Sequence, residues 1–493
     1  MVELCKSKRK SCKNSHTHNH TVLLVLIVIT MPFFAANAFQ TMTRNGRSSR
    51  TFRLRNIFPR RATSNDASPS AAAQSSYDMV IVGGGSAGLT AAKFAGGTLK
   101  KSVLIVEEER LGGDCTWTGC VPSKSLLSKA KASQMARNYA IQQHSTSNGS
   151  SSNDDEIGEA HRDKSRANFD KVQAYFRRVQ QEIYEEDDSP RALEKFGIET
   201  IEGQKARLVT PTTLSFQKGS ITTTVEAKDG ILLCTGAKPN RPTNSIPGLS
   251  SIDYLTYEEI WTRDFGGSLP KKWTVVGGGP IGCELAQALS RLGASVTIIT
   301  GSSGRLLPGV DDVDVSEMMK EVFEEDENIT VLQGKLTKVE SASSENPSYH
   351  VAFVETIRSK ESISVEGDAM LLSIGRKPNT KGLGLETLGI DLDPKTGGIA
   401  VDTTLKTTVD GIYAAGDCTG DKQFTHYAGT YYTLCCMHAC MNPFTIFYVC
   451  SSSVRENCLS IRSLTPTATQ PNTIHRAASF LFMFDSTRLH FTE

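Results

Sequence analysis

YDMVIVGGGSAGLTAAKFAGGTLKKSVLIVE, residues 77–107, reads as a strand, a glycine turn, a helix and a second strand. The opening YDMVIV is a short β-branched run, as expected of a buried parallel strand. Gly83 permits the tight turn, Gly85 lets the backbone approach a pyrophosphate, and Gly88 lets the helix pack close to the strand. The helix N-terminus offers free N–H groups and a positive dipole end to phosphates. Nineteen residues after Gly88 the strand SVLIV ends at Glu107, where a carboxylate meets a ribose hydroxyl. A lone glycine motif is weak, but strand, loop, helix, strand and acid in this order predict an α/β dinucleotide-binding unit.

The pattern recurs. The strand beginning Trp273-Thr-Val-Val leads into Gly277, Gly279 and Gly282, then the helix CELAQALSRLG and the strand SVTIIT. Here Thr300 stands at the acid position, no Asp or Glu follows before Asp311, and Arg305 lies between. With no carboxylate to repel it, a ribose 2′-phosphate can be accommodated, which favours NADPH over NADH. A polar turn that accepts either cofactor is the plainer reading. Two dinucleotide sites in one chain suggest electron flow between a bound flavin and a diffusing nicotinamide.

The rest of the composition narrows the class. The chain has 493 residues, and 54 basic against 53 acidic side chains leave a net charge of +1. Nothing in that balance favours nucleic acid or a membrane surface as partner. Hydrophobic content of 39% and charged content of 22% suit a globular chain and not a disordered one. Twelve scattered cysteines do not make a disulfide-dense secreted scaffold.

Only Cys115 and Cys120, in GGDCTWTGCVPSK (112–124), sit in a context that suggests redox chemistry. A zinc site needs about four ligands, and the flanks offer no second pair, so no metal site is expected. Pro122 suits the first turn of a helix, and a thiolate at that N-terminus is stabilised by the dipole. Lys124 adds positive charge nearby.

Together these motifs resemble the flavoprotein disulfide reductase family. They run in order as GGGSAG (83–88), Glu107, GGDCTWTGCVPSK (112–124), ILLCTGAKPNRP (231–242), GGGPIGCELA (277–286), LLSIGRKPN (371–379) and GIYAAGDCTG (411–420). The GGDCTWTGC variant, with QFTHYAG near residue 423, looks closest to the mercuric-reductase-like and dihydrolipoamide-dehydrogenase-like branch. The resemblance implies FAD and NADPH (or NADH) as cofactors and a small-molecule disulfide, dithiol or metal ion as substrate. It implies that Glu107 binds the FAD adenosine ribose, that Asp417 holds the ribityl chain, and that the helix from Thr425 points at the ring. Ser86, Gly113, Thr235, Gly236 and Gly375 join the three first-loop glycines as cofactor-binding residues. Cys120 would be the thiol nearer the flavin, Cys115 the interchange thiol, and Lys124 would pair with Glu284.

The expected architecture is two Rossmann-like domains: a discontinuous FAD domain (77–245 and 370–430) and an inserted NAD(P) domain (246–369). The Ser/Asn-rich stretch 144–166 reads as a disordered insertion. Residues 1–38 have the layout of a cleaved signal peptide, which leaves no membrane anchor, and 39–76 hold seven Arg in an acid-poor, transit-peptide-like tract. A plastid is the expected destination, with secretion or the endoplasmic reticulum as alternatives. The resemblance ends at Gly429. Residues 431–493 lack the family's dimerisation domain with its His/Glu pair and read as an aberrant tail. The family is homodimeric, so a catalytically incomplete flavoprotein or a mispredicted gene product stands as the alternative to an active reductase. The vicinal Cys435-Cys436 in that tail has no context for a metal relay.

Overall fold

The computed structural model describes residues 76–148, 154–242, 245–325, 329–342 and 346–421. The readings on residues 1–75, Thr425, Cys435-Cys436 and the tail from 431 lie outside the described residues.

The first sheet grows from β1 (Ser76–Val82), whose Met79, Val80 and Ile81 are fully buried. β1 lies parallel between β2 (Val103–Val106) and β6 (Ile221–Leu233), and β2 is flanked by β3 (Ile198–Ile201). Helix α1 (Ser86–Ala92) connects β1 towards β2. β4 (Arg207–Thr210) and β5 (Thr213–Lys218) add an antiparallel wing to β6. Each face of this sheet carries its own apolar layer, one around Met79, Ile81 and Leu232, the other around Val80, Leu104 and Leu233. Such two-sided burial explains why β2 reads VLIV, apolar throughout rather than alternating.

In the chain between β2 and β3 come α2 (Gly113–Trp117), α3 (Cys120–Asn148), α4 (Asp154–Arg166) and α5 (Phe169–Ile183). After β6, β7 (Ala237–Pro239) leads towards β8 (Leu255–Thr256). The second sheet continues with β9 (Lys272–Val276), helix α6 (Pro280–Arg291), β10 (Ser295–Ile299), α7 (Val313–Glu325) and β11 (Ile329–Leu332). An antiparallel meander of β12 (Gly334–Ser341), β13 (His350–Thr356) and β14 (Ser362–Gly367) follows, then β15 (Ala369–Leu372). The parallel order is β11-β10-β9-β15-β8. β16 (Arg376–Pro378) then pairs with β7, and β17 (Ile412–Ala414) returns to the first sheet beside β6. The fold is α/β with two dinucleotide-type sheets, the first parallel apart from its β4–β5 wing and the second parallel throughout.

One expectation is corrected. The polar stretch 144–166 is helical wherever it is described: α3 runs to Asn148 and α4 covers Asp154–Arg166. Composition misleads because polar contacts anchor the segment, among them Ser165 to Ser133 of α3 at 2.6 Å and those of Arg166. Arg166, 4% exposed, donates to the Gly293 carbonyl and pairs with Asp163, and its own carbonyl accepts the Leu269 N–H at 3.2 Å. Satisfying a buried backbone carbonyl through a charged donor outweighs the low apolar content of the segment. Leu126, Phe169 and Phe176 of α3 and α5 in turn join the core beneath α6.

Candidate functional site

The first glycine turn is built to leave one gap. Gly83 has φ +105°, and a Cβ there would sit 2.2 Å from the Cys234 carbonyl oxygen. A Cβ on Gly88 would sit 1.9 Å from the Gly83 oxygen, so α1 and β1 touch through bare backbone. Gly85 is different: the nearest atom to an added Cβ is 3.8 Å away. The second turn repeats this. Cβ atoms on Gly277 and Gly282 would meet the Ser373 and Gly277 oxygens at 2.4 and 2.1 Å, whereas Gly279 has nothing within 4 Å. In both turns the outer glycines are filled by protein and the middle one faces open space, the cradle a pyrophosphate needs.

At the end of β2, Glu107 is held by the backbone. Its Oε2 accepts the Gly84 N–H at 2.6 Å and its Oε1 the Glu109 N–H at 2.8 Å. Burial pushes its carboxyl above the ordinary range, against the pull of those two donors. A cavity of about 850 Å³ opens beside it, lined by Gly85, Glu107, Cys115, Thr235, Arg376 and Asp417 among others. Gly83, Ser86, Gly113 and Gly236 also line it. Thr235 is fixed by donating to the Asn379 carbonyl at 2.6 Å, while Asn379 Nδ2 returns a bond to the Thr235 carbonyl at 2.9 Å. Gly375 (φ +95°) precedes Arg376 outside the lining.

The thiols stand on this wall. Cys115 lies on the short α2, and Cys120 is the first residue of α3; both are half-buried. The loop between them is clamped from outside. Gln180 of α5 donates to the Trp117 carbonyl at 2.6 Å, Trp261 Nε1 donates to the Thr118 carbonyl at 2.8 Å, and Thr116 donates to buried Asp188 at 2.7 Å. A hydrogen bond with Cys120, then burial, pushes the Cys115 thiol up, while the Ser86 hydroxyl works the other way. Cys115 lines the cavity; Cys120, Lys124 and Glu284 are not among its lining residues. Lys124 Nζ and Glu284 Oε1 are 2.6 Å apart, joining α3 to α6, and Ser123 donates to the same oxygen at 3.1 Å.

Around the second turn, Thr300 is buried, its hydroxyl 3.4 Å from the Leu332 carbonyl it donates to. Arg305 donates to the carbonyls of Pro308 and Val310, at 3.2 and 3.0 Å. Its backbone oxygen would lie 3.2 Å from a Cβ on Gly278, so this loop closes over the glycine turn.

Sequence reasoning missed the role of Arg376. It lies inside the quoted LLSIGRKPN stretch, yet nothing local marks it. In the structure its guanidinium pairs with Asp114 and Asp417, and its Nε–H donates to Tyr257 Oη at 2.9 Å. Among the described residues no cluster of three or more His, Cys, Asp or Glu could hold a metal ion, and no helix is long and apolar enough to cross a membrane.

Three comparisons bear on this site. The family model described as pyridine nucleotide-disulphide oxidoreductase matches residues 77–431. A mercuric reductase of Staphylococcus aureus is 29% identical over 352 residues, 71% of this chain and 57% of its own length. A dihydrolipoyl dehydrogenase of Bacillus subtilis (strain 168) is 31% identical over 354 residues, 71% of this chain and 69% of its own. The chain therefore spans under two thirds of that mercuric reductase. The solved HOCl-induced flavoprotein disulfide reductase RclA of Escherichia coli superposes with a TM-score of 0.55 at 23% identity, covering 72% of this chain and 69% of that one, a likeness of fold. The open middle glycines, the cavity and Glu107 fit FAD at the first turn, and Gly279 fits a nicotinamide dinucleotide at the second.

Proposed function

The chain belongs to the pyridine nucleotide-disulphide oxidoreductase family, and on that premise we propose that it passes electrons from NADPH to a disulfide or metal-ion acceptor through Cys115 and Cys120. Members of the family use FAD and NAD(P)H. When bound, these supply two-electron transfer from a reduced nicotinamide through a flavin to sulfur. The observation that carries the reading is that Cys115 lines the same cavity as Gly85 and Glu107.

The chain's own residues then have defined tasks. Gly83, Gly85, Ser86, Glu107 and Gly113 would hold the FAD diphosphate and ribose, with Asp417 towards the ribityl chain. Gly277, Gly279 and Gly282 would hold the nicotinamide dinucleotide. Cys115 is the exchange thiol. Once its proton leaves, its thiolate attacks one sulfur of an acceptor disulfide and expels the other as a thiol. Cys120 then attacks the Cys115 sulfur and releases the second half of the acceptor. A Cys115–Cys120 disulfide is left, and two electrons with two protons have passed to the acceptor. Cys120 is the first residue of α3, where the helix N-terminus stabilises a thiolate, which suits it to attack the Cys115 sulfur. Lys124 and Glu284 hold α3 against α6. A preference for NADPH is supported by the missing carboxylate at Thr300 and by Arg305 in the following loop.

The test is thiol counting. The full chain is loaded with FAD, oxidised, freed of oxygen and given NADPH; alkylation followed by peptide mapping should then show modified Cys115 and Cys120. Thiols that appear equally without NADPH would overturn the reading. Steady NADPH consumption with lipoamide, glutathione disulfide or Hg(II) as acceptor identifies the acceptor class.

A further inference from the structure

Two carboxylates face the cavity from separate segments. Asp114 belongs to α2, immediately before Cys115, and Asp417 follows β17. An anionic dinucleotide bound there would meet both, at a cost set by the low dielectric of a half-buried site. Arg376, reached through β16, lies between them. Its Nη2 donates to Asp114 Oδ2, its Nη1 to Asp417 Oδ2, and its Nε to Tyr257 Oη at 2.9 Å. Tyr257 Oη is also 3.4 Å from Asp114 Oδ2. The Arg376 side chain is 14% exposed and that of Asp417 17%, against 40% for Asp114.

From this geometry, and resting on the cofactor reading above, we propose that Arg376 is a positioning residue that neutralises Asp114 and ties the thiol-bearing helix α2 to the wall of the dinucleotide cavity. The fork spans four segments that the chain order keeps apart: α2, the turn after β8, β16 and the turn after β17. No other described contact of Asp114 is a full ion pair: Tyr257 offers a neutral hydroxyl at 3.4 Å and Thr118 another, which donates to Oδ1 at 3.2 Å from within the same loop. Without the guanidinium, Asp114 would turn an uncompensated charge to the cavity, and the carboxylate one residue from Cys115 would lose its charged tie to the far wall, keeping only the hydroxyls of Thr118 and Tyr257. The charged and polar groups set around this arrangement are Cys120, Ser86 and Asp188 about Cys115, Lys93 beside Asp188, and Lys238, Glu258 and Tyr257 about Asp114. Lys238 is committed to Glu109 at 2.8 Å, so it does not replace the fork.

The experiment uses the full chain stripped of flavin and titrated with FAD by fluorescence quenching, alongside the alkylation rate of Cys115 in the flavin-free chain. Arg376→Met should weaken FAD binding about tenfold or more, as expected when one partner of a partly buried pair is removed, and the loss should shrink at high salt. Adding Asp114→Asn to Arg376→Met should restore most of the affinity and return the Cys115 alkylation rate towards that of the parent. Asp114→Asn alone, which folds without leaving an unpaired cation because Asp417 remains, should bind FAD at least as well as the parent. A double variant no better than Arg376→Met, or an Asp114→Asn protein that loses FAD, would overturn the proposal. Failure of the parent chain to bind FAD would instead refute the cofactor reading on which it rests.

Discussion

The two kinds of glycine in the first turn make opposite predictions for the same methyl group. Gly88→Ala places a Cβ 1.9 Å from the Gly83 carbonyl oxygen, where an ordinary contact is 3.4 Å or more, so α1 and β1 must part by about 3.4 − 1.9 = 1.5 Å. The atom in the way is backbone, and no side chain can swing aside. Overpacking of this kind costs about 1–3 kcal/mol, which corresponds to a fall in Tm of roughly 3–10 °C for a domain of this size. Gly85→Ala meets nothing closer than 3.8 Å, and its φ of −80° and ψ of −170° are open to any residue. A glycine replaced at a compatible conformation gains about 0.4–1 kcal/mol through the unfolded chain. Its Tm should therefore hold or rise, while its methyl fills the gap left for a pyrophosphate and FAD affinity falls. Thermal unfolding of the flavin-free variants by circular dichroism, with FAD titration of each, separates the two effects. Equal destabilisation by both substitutions, or a Gly85→Ala chain that binds FAD as the parent does, would refute the reasoning.

Three further outcomes follow from the geometry. Cys120→Ala removes the bond that chiefly holds the Cys115 proton, so the pH dependence of Cys115 alkylation should move to lower pH; an unchanged profile would show that burial alone governs the thiol. Glu284→Gln breaks the 2.6 Å pair with Lys124, but Lys124 is 49% exposed, so stability should change by less than about 1 kcal/mol while NADPH-dependent turnover drops, which unfolding and rate assays would show side by side. His350 is fully buried, with its ring nitrogens 2.8 Å from the Ser348 carbonyl and 3.0 Å from the Thr274 hydroxyl, and burial lowers its pKa. The unfolded chain then binds the proton more readily than the folded one. The contribution of His350 is complete above about pH 6.5 and is lost as pH falls through the acid side of that value; His350→Gln should flatten this part of the stability profile measured by urea unfolding.

Much of the site was legible because its signals are local. The glycines of each turn, the acid at the end of β2 and the two thiols flanking a helix start act through neighbours in the chain, and backbone sterics at a turn depend on few residues. The Lys124–Glu284 pair was legible only through resemblance, since nothing near either residue announces the other. Arg376 and the anchoring of α4 by Arg166 were not legible at all. In the second case composition pointed the wrong way, because a polar segment was judged by its lack of apolar surface while it is held by polar contacts such as those of Arg166 and Ser165.

What the sequence alone determined is the pair of dinucleotide-type units and their order, since a strand, a glycine turn and a helix are specified within some thirty residues by steric rules that need no distant partner. What only the tertiary structure decided is which charges meet: Asp114, Tyr257, Arg376 and Asp417 come from four segments, and the path that brings β17 back beside β6 is what sets their carboxylates around one guanidinium. Coulomb energy depends on distance through space, and chain order does not encode that distance.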